Sequence, residues 1–478
     1  MQKLTSDSAP RVQTSVPKAN SSTVTGALAE YLAQPPGQVP PEAVELVRKA
    51  VLDTVGVALA ASHEPSIAIL NRAYGDAAGP CTTWVGGGSA DASRAALLNA
   101  TAAHALDFDD VDDLLTGHPS TVLVPAVLAA GESARATGAL TVEGYWRGLV
   151  VMRALAAGLG VGEHYARGWH ATATLGAVGA AAAAATVLQL NVEQVRNALG
   201  IAVSRAAGSR ENFGSMTKPL HAGLAASDGV VAATLAHAGF TAGSDPVGGA
   251  NGFLALYSGG AAPTPVERAV ATERVVAALH DPGAAALNVK LFPCCYATNA
   301  AVDASLDLLA GGLSVADIAA LHIDVPPAGL QPLTESVPQT GLEAKFSLSY
   351  VVASCLIDGS LGLDAFTDAA VRRESVLDLA TRVTASENLT SGSTGRLVFA
   401  AEVVAHTRSG ITQTARCDAP RGHASRPSRM SEIQAKFDDC VAFGGADSRP
   451  DLAARLCALP ERSNVADIFS CDESGAYG

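Results

Sequence analysis

Residues 171–190 read ATATLGAVGAAAAAATVLQL, and this stretch decides the fold class. It carries no charge and is long enough to cross a lipid bilayer as a helix. Its composition argues against a membrane span, because alanine, glycine and threonine add far less transfer energy than leucine, isoleucine or valine. We therefore predict a helix that is buried in a soluble core and packs closely against other helices.

The sequence on both sides of this stretch repeats the helical pattern. Pro40, Pro41 and Glu42 are typical of a helix start, and apolar residues then recur at helical spacing as far as Leu59. Further helices are predicted over residues 92–107, 120–136, 142–159, 192–203 and 221–238. Almost nothing before residue 280 alternates with a period of two, so this part of the chain is predicted to be all-α.

The pattern changes after about Asp281. Strands are predicted over residues 322–325 and 382–385 and, as a hairpin, over 396–405 and 410–414. Helices are predicted between the strands at 300–309 and 348–357, and again at 431–443 and 451–458. We predict a mainly α protein in which a large all-α domain, residues 22–283 and 425–478, is interrupted by a smaller α+β domain, residues 284–424. Residues 1–21 are predicted to form a disordered tail.

Composition excludes several classes of function. The chain has 478 residues and a net charge of −14, which leaves no phosphate-neutralising surface for nucleic acid. The eight cysteines show neither zinc spacing nor a disulfide framework, which favours reduced thiols in the cytoplasm. The polar N-terminal stretch has no apolar h-region, so we expect no secretory signal there. Its Lys3, Arg11 and Lys18 resemble a transit peptide only faintly, and a disordered tail is the favoured interpretation.

Residues 107–118 read DFDDVDDLLTGH and gather five acids and a histidine in a loop between two helices. Clustered carboxylates either raise one another's pKa values or bind a divalent metal. Residues 109–113 match the DDxxD pattern that binds magnesium in class I terpene synthases. That interpretation also requires a second metal motif and an aromatic-lined pocket, and aromatic residues make up only 5% of this chain. We therefore predict an acid–base role and no metal.

Two histidines and two lysines lie in informative positions. His170 precedes the uncharged helix, where the helix dipole lowers the pKa of a histidine and suits it to act as a base. His118 follows the acidic residues, which would raise its pKa and suit it to act as an acid. Lys218 opens another predicted helix, and Lys290 is flanked by Val, Leu and Phe. Considered individually, residues such as His170, Lys218 and Lys290 are more often a solvated lysine or a buried structural histidine.

Together, these segments resemble the successive signatures of the MmgE/PrpD family. They are HALDFDD at 104–110, HPS at 118–120, GWH at 168–170, NFGSMTKPLHAG at 212–223 and KLFPC at 290–294. The resemblance runs from about residue 25 to the C-terminus, and TKPLH is its most specific part. The family includes 2-methylcitrate dehydratase, cis-aconitate decarboxylase and iminodisuccinate epimerase. The resemblance implies a large all-α domain with a smaller α+β lid domain, and a homodimer formed through the helical domain.

The resemblance also implies the site residues, around one pocket between the two domains. The catalytic residues would be Asp107, His118, His170, Lys218, Lys290 and Tyr350. The substrate-binding residues would be Lys218, Lys290, His221 and Cys295. The lysines would neutralise substrate carboxylates and stabilise developing charge, while a histidine or a protonated carboxyl group moves a proton. This chemistry requires neither a metal nor an organic cofactor.

The sequence departs from the family at four positions. Many members have Thr where Val111 stands and Arg near the position of Ser227. Members related to cis-aconitate decarboxylase have His at the positions of Cys295 and Asn299. Each change removes a possible carboxylate partner, which makes a smaller or less charged substrate plausible.

The prediction from the whole sequence is a cytoplasmic lyase that removes water or carbon dioxide from a small di- or tricarboxylic acid. One alternative is an epimerase that uses the same residues without losing a group. A second is a carboxylate-binding protein that has kept the fold but not the activity. Neither nucleic acid nor a membrane is an expected partner.

Overall fold

The computed structural model describes residues 23–37, 39–74, 78–259, 263–390, 399–445 and 451–469. The predicted tail at 1–21 lies outside the described residues, as do residues 396–398 of the predicted hairpin. The chain divides into two compact units. The helical unit comprises Met1–Ala105, Leu114–Ala286 and Met430–Gly478, and the mixed unit comprises Leu106–Asp113 and Leu287–Arg429. The acidic segment Leu106–Asp113 thus belongs to the mixed unit, although the helices on both sides of it belong to the helical unit.

The described part of the helical unit contains α-helices, short 3₁₀ helices and a short strand pair. Its helices are α1 Val24–Leu32, α2 Pro41–Ala60, α3 Pro65–Tyr74, α4 Ala92–Ala105, α5 Ser120–Ala134, α6 Gly138–Leu159, α7 Val161–Ala166, α8 Ala171–Val187, α9 Val192–Val203, α10 Thr217–His237, α11 Phe253–Ser258, α12 Pro265–His280, α18 Met430–Phe443 and α19 Leu452–Cys457. Strands β1 Cys81–Thr82 and β2 Ser89–Ala90 pair in antiparallel fashion.

Helix α8 lies at the centre of this unit. Every one of its 17 residues is buried, and it packs against α5, α6, α9 and α10. A helix that is buried all round needs no polar face, which explains its uniformly apolar composition. This confirms the buried helix predicted from residues 171–190. No helix among the described residues is long and apolar enough to cross a membrane.

Glycine allows α10 to approach α8 closely. A Cβ atom placed on Gly229 of α10 would lie 2.3 Å from the Cβ of Ala180 and 2.5 Å from the backbone nitrogen of Ala181. Both distances are shorter than real Cβ contacts, so any side chain at this position would push the helices apart. Since α10 carries Lys218 and His221 and α8 follows His170, this close packing sets the spacing of candidate site residues.

The mixed unit is built around a four-stranded sheet. Its helices are α13 Tyr296–Ala310, α14 Gly341–Ala344, α15 Leu348–Asp358, α16 Asp368–Val371 and α17 Glu374–Ala380, and its strands are β3 Ile318–Asp324, β4 Val383–Ser386, β5 Ala401–Thr407 and β6 Thr412–Cys417. The strand order is β4-β3-β5-β6, with β3 and β4 parallel and the other two pairs antiparallel. Helix α13 packs against α15, β5 and β6, so the apolar core lies between the helices and the sheet.

The predicted mainly α fold class is confirmed. The predicted helices agree with α4, α5, α6, α9, α13, α15, α18 and α19 to within a few residues. Helix α10 begins at Thr217, four residues before its predicted start, because proline at the third position of a helix removes no intrahelical hydrogen bond. The domain boundaries predicted at residues 283 and 424 remain a proposal, and the two compact units change at 286/287 and 429/430.

Candidate active site

Four histidines from separate parts of the helical unit lie close together, and we call them the histidine group: His104, His118, His170 and His221. His104 is in the last turn of α4, and His118 lies two residues before α5. His170 is the N-cap residue of α8, and His221 is in the second turn of α10. The fold thus brings together histidines that are up to 117 positions apart in sequence.

Neighbouring rings of the histidine group lie close to one another. The ring centroid of His104 is 4.6 Å from that of His118 and 6.0 Å from that of His170. His170 and His221 share a hydrogen bond of 3.1 Å between their Nδ1 atoms. One Nδ1 must donate and the other accept, so at most one ring of the pair carries a proton on this nitrogen without a clash. The pair is therefore arranged to share a single proton along this contact.

Gly208 fixes the backbone at His170. Its carbonyl oxygen accepts the His170 N–H at 3.0 Å, and its φ of +143° is a conformation that side chains rarely adopt. A Cβ on Gly208 would lie 2.7 Å from the Cβ of Ala173 and 3.6 Å from the Nδ1 of His221. A residue other than glycine at this position would therefore disturb both histidines of the bonded pair.

The surroundings keep His170 uncharged. Burial lowers its pKa well below the ordinary value, and the nearby His104, Lys218, His221 and His118 lower it further. Burial and Lys218 also lower the pKa of His221. At neutral pH both rings are neutral, so each can accept a proton or donate an N–H hydrogen bond. The lowered pKa predicted for His170 is thus supported, although burial is the first cause.

Lys218 brings positive charge to the histidine group. It is the second residue of α10 and is buried, and its Nζ lies 5.5 Å from the centre of the Phe213 ring. The same ring meets His170 edge-on, with centroids 4.9 Å apart. The Phe213 ring therefore lies near both a buried ammonium and a buried imidazole. The backbone N–H of His118 donates to the Thr172 hydroxyl at 3.1 Å.

The mixed unit holds a second candidate element, an ion pair between Lys290 and Asp107. Lys290 is fully buried, and its Nζ donates to the backbone carbonyl of Asp107 at 2.7 Å and lies 3.1 Å from the Asp107 carboxylate. Burial opposes the charge on Lys290, but the Asp107 and Asp109 carboxylates and Cys295 outweigh it, and its pKa is raised. Lys290 is thus a charged ammonium held by the acidic segment.

Asp113, the last acid of the DDVDD sequence, is hydrogen-bonded within the protein. Its carboxylate accepts from the Asn288 side chain at 2.6 Å and lies 3.3 Å from Nε2 of His423. Lys290 supplies the positive charge beside Asp107 in the same segment. Side chains from residues 288–423 therefore contact both ends of the acidic segment.

Cys295 and Tyr350 differ in how they relate to this ion pair. Cys295 is the N-cap residue of α13 and lies close enough to Lys290 to affect its pKa. Tyr350 is buried in the apolar core of the mixed unit, and its hydroxyl donates to the Ala365 carbonyl at 2.5 Å. This contact gives Tyr350 a packing role and no support for the catalytic role that the resemblance implied.

Two members of the site were missed from the sequence. His104 and Phe213 both lie within the quoted signatures, yet neither was assigned a role. The available signal for His104 was a single imidazole in the last turn of an alanine-rich helix. Such a residue cannot be distinguished from a structural histidine until the other rings are known to surround it.

Comparison with known families agrees with the signatures. Residues 26–266 match the MmgE/PrpD N-terminal domain, and residues 292–457 match the MmgE/PrpD C-terminal domain. The chain belongs to the MmgE/PrpD family. The family predicted from the signatures is therefore confirmed, and the histidine group and the Lys290–Asp107 pair are features of an MmgE/PrpD protein.

Relatives of this MmgE/PrpD protein cover most of its length. It is 29% identical to the cis-aconitate decarboxylase of Homo sapiens, over 72% of this chain and 71% of the relative. It is 26% identical to that of Aspergillus terreus, over 86% and 85%. It is 25% identical to the cis-aconitate decarboxylase-like protein oryM of Aspergillus oryzae, over 89% and 91%.

Proposed function

We propose that this MmgE/PrpD protein is a lyase that decarboxylates a small unsaturated di- or tricarboxylic acid, with cis-aconitate as the first substrate to test. Decarboxylation is favoured over dehydration because the relatives described above carry that activity in their names. The observation that carries the proposal is the neutral His170–His221 pair beside the buried Lys218, all of it within family signatures. Imidazoles and a buried ammonium are groups suited to proton transfer and carboxylate binding.

Lys218 and Lys290 are proposed to bind substrate carboxylates. Each ammonium is buried, where its interaction with a carboxylate is much stronger than in water. Lys290 carries a raised pKa and so remains charged through the reaction. Its Nζ donates to the Asp107 carbonyl and lies 3.1 Å from the Asp107 carboxylate, so Asp107 holds the ammonium in place.

The histidines are proposed to transfer a proton to the reacting carbon and to orient the substrate. In the reaction the bond from carbon to one carboxylate breaks and carbon dioxide leaves. The electron pair of that bond moves onto a carbon conjugated with a remaining carboxylate, where a lysine stabilises the charge. His118, which is half-buried, then delivers a proton to that carbon and regains one from solvent, so each turnover consumes one proton and releases one carbon dioxide. The neutral His170–His221 pair orients the substrate through N–H donation.

The test is product analysis on purified protein. We expect carbon dioxide release from cis-aconitate, unaffected by EDTA, and loss of turnover in both His118→Gln and His170→Gln. Scrambled stereochemistry without release of carbon dioxide or water would instead support the epimerase. Ligand binding without turnover would support the non-catalytic alternative. Activity that is lost with EDTA and recovered with magnesium would support a metal-dependent reaction.

The departures from the family bear on substrate size. Cys295 and Asn299 stand where relatives of cis-aconitate decarboxylase are expected to have histidines. If these losses reduce the number of carboxylates that the site accepts, a dicarboxylate is turned over faster than cis-aconitate. The double variant Cys295→His, Asn299→His would then gain activity on cis-aconitate, measured as kcat/KM on both substrates.

A further inference from the structure

Asn288 joins three segments of the mixed unit. These are the acidic segment Leu106–Asp113, the stretch that carries Lys290, and the loop at 418–429 that follows β6. The residue is almost completely buried, with 1% of its surface exposed. A buried amide needs partners for both its donor and its acceptor, and here each partner comes from a different segment.

Four hydrogen bonds meet at Asn288. Its backbone N–H and carbonyl pair with Val111 of the acidic segment at 2.9 and 2.8 Å. Its side-chain Nδ2 donates to the Asp113 carboxylate at 2.6 Å. Its Oδ1 accepts the backbone N–H of Ala424 at 2.8 Å. The backbone bridge aligns the two chains, and the side chain then fixes the end of the acidic segment against the loop.

The loop is itself firmly held. The Gly422 carbonyl accepts the Val289 N–H at 2.9 Å, and a Cβ on Gly422 would lie 2.1 Å from the Val289 oxygen, so only glycine fits. Arg421 bonds the buried Asp303 of α13 through its backbone N–H and its Nε, both at 2.6 Å. The loop therefore gives Asn288 a fixed reference point.

We propose that Asn288 is a positioning residue that holds Asp107 in register with Lys290. Lys290 lies two residues beyond Asn288, and Asp107 lies four residues before its partner Val111. A slip of the acidic segment would separate the ammonium from both the carbonyl and the carboxylate of Asp107. The catalytic part of this inference rests on the proposed function, while the alignment itself does not.

The chemistry of the contact explains why an amide is needed. Aspartate at position 288 would accept from Ala424 but would face the Asp113 carboxylate and repel it. Asn288→Asp should therefore loosen the acidic segment and lower kcat/KM by about 10- to 100-fold, the scale expected when reacting groups move by a fraction of an ångström to one ångström. The exchanged pair Asp113→Asn, Asn288→Asp again sets one donor against one acceptor and should recover most of the loss.

Two measurements test the proposal. The first is hydrogen–deuterium exchange of residues 106–113 in the wild type, Asn288→Asp and the exchanged pair, with thermal unfolding as a check of the fold. We expect faster exchange in the single variant and recovery in the exchanged pair. This readout needs no substrate. If Asn288→Asp does not fold, Asp113→Ala removes the same hydrogen bond from the other side.

The second is a double-mutant cycle on kcat/KM between Asn288→Ala and Lys290→Met. If Asn288 acts through Lys290, its replacement costs less than about threefold once Lys290 is gone. Asn197→Ala is the matched control, because Asn197 is also buried and accepts a backbone N–H, from Ala242 at 3.0 Å, in the helical unit. It should leave kcat/KM unchanged.

The proposed function and the alignment by Asn288 can be disproved independently. A wild type that is inactive on every carboxylate tested overturns the proposed function and leaves the exchange measurement to decide the alignment. Unchanged exchange over residues 106–113 in a folded Asn288→Asp overturns the alignment. If the kcat/KM losses of the two single variants multiply fully in the double variant, Asn288 contributes to the fold and does not act through Lys290.

Discussion

His170 is surrounded by three other histidines and a lysine, and its burial and all of these neighbours oppose a positive charge on its ring. A group whose folded pKa is lowered becomes charged only when the pH falls below that lowered value. Any step that needs neutral His170 should therefore persist to pH values well below 6.5, the ordinary histidine pKa. The acid side of the pH–activity profile would report this directly.

Replacing Lys218 should raise the pKa of both His170 and His221, because Lys218 lowers both. We expect the His170 signal of Lys218→Met to titrate at higher pH than in the wild type, with His221 following. The measurement is NMR titration of protein labelled at histidine Cε1, and it needs no substrate. A wild-type His170 that titrates near 6.5, or no shift in the variant, would contradict the described surroundings.

Variants of the Lys290–Asp107 pair should affect stability and activity differently. Lys290→Met leaves a carboxylate in the protein without its cation and should cost about 3–5 kcal/mol of unfolding free energy. Removing both charges, in Asp107→Asn with Lys290→Met, should recover much of that stability without restoring turnover. Urea unfolding and kcat/KM are the two readouts. Equal stability of the single and double variants would mean that the two groups do not interact.

Family signatures single out His118, His170, Lys218 and Lys290 in the sequence, and their roles stay predictions. In the structure the first three lie at the histidine group and Lys290 pairs with Asp107. His104 and Asn288 could not be chosen in this way, since their importance depends on partners far away in the chain. The packing of Tyr350 against Phe366 and the Ala365 carbonyl was equally invisible to a motif.

The contact between α8 and α10 has no room for an added methyl group at Gly229. Gly229→Ala should cost about 1–3 kcal/mol of stability, because backbone atoms of α8 stand in the way of the new Cβ. It should also lengthen the His170–His221 contact and reduce turnover. Gly243→Ala is the control, since nothing lies within 4 Å of its Cβ position. Thermal unfolding that is the same for both variants would contradict the close packing.

Glu132 links α5 to β1 and should make stability depend on pH. It is buried and accepts the Thr82 N–H at 2.6 Å, and burial raises its pKa to about 7. The folded state therefore binds this proton more tightly than the unfolded state, and stability falls as the pH rises from about 4.5 to about 7.

Glu132→Gln keeps an acceptor for Thr82 and removes the titration. We expect it to be more stable than the wild type by about 2–3 kcal/mol above pH 7 and to lose that pH dependence. Urea unfolding at pH 5 and pH 8 is the measurement, with Glu193→Gln as an exposed control. A variant that is less stable than the wild type at pH 8 would contradict a destabilising buried charge.

Elements with strong periodicity were predictable, and those that depend on distant contacts were not. The long helices of the helical unit follow from repeated apolar spacing and small residues. The two-residue strands β1 and β2 are too short to leave a pattern. The membership of Leu106–Asp113 in the mixed unit follows from its bridge to Asn288, a contact across 177 positions that no local pattern encodes.

The whole molecule is proposed to form a homodimer through the helical unit. Helix α10 buries one side, yet its Leu224 and Leu235 are 41% and 37% exposed and lie eleven residues apart, which places them on one face. Phe240, just beyond the helix, is 59% exposed. Single exposed apolar residues are ordinary, but we propose that these two leucines and Phe240 together form a contact surface.

The double variant Leu224→Asp, Leu235→Asp should therefore be a monomer. For the wild type we expect light scattering to give the molar mass of a dimer at micromolar concentration. Leu256→Asp is the control, because Leu256 is also exposed but lies on α11. A monomeric wild type would contradict the proposed homodimer.

The central claim is that this protein breaks a carbon–carbon bond next to a carboxylate and returns a proton to carbon. The most direct test is NMR of the purified protein with carboxyl-labelled cis-aconitate in deuterated water. We predict labelled carbon dioxide, a product that carries one deuterium on carbon, and neither signal with His118→Gln. Deuterium exchange without carbon dioxide, or a substrate left unchanged, would contradict decarboxylation by this site.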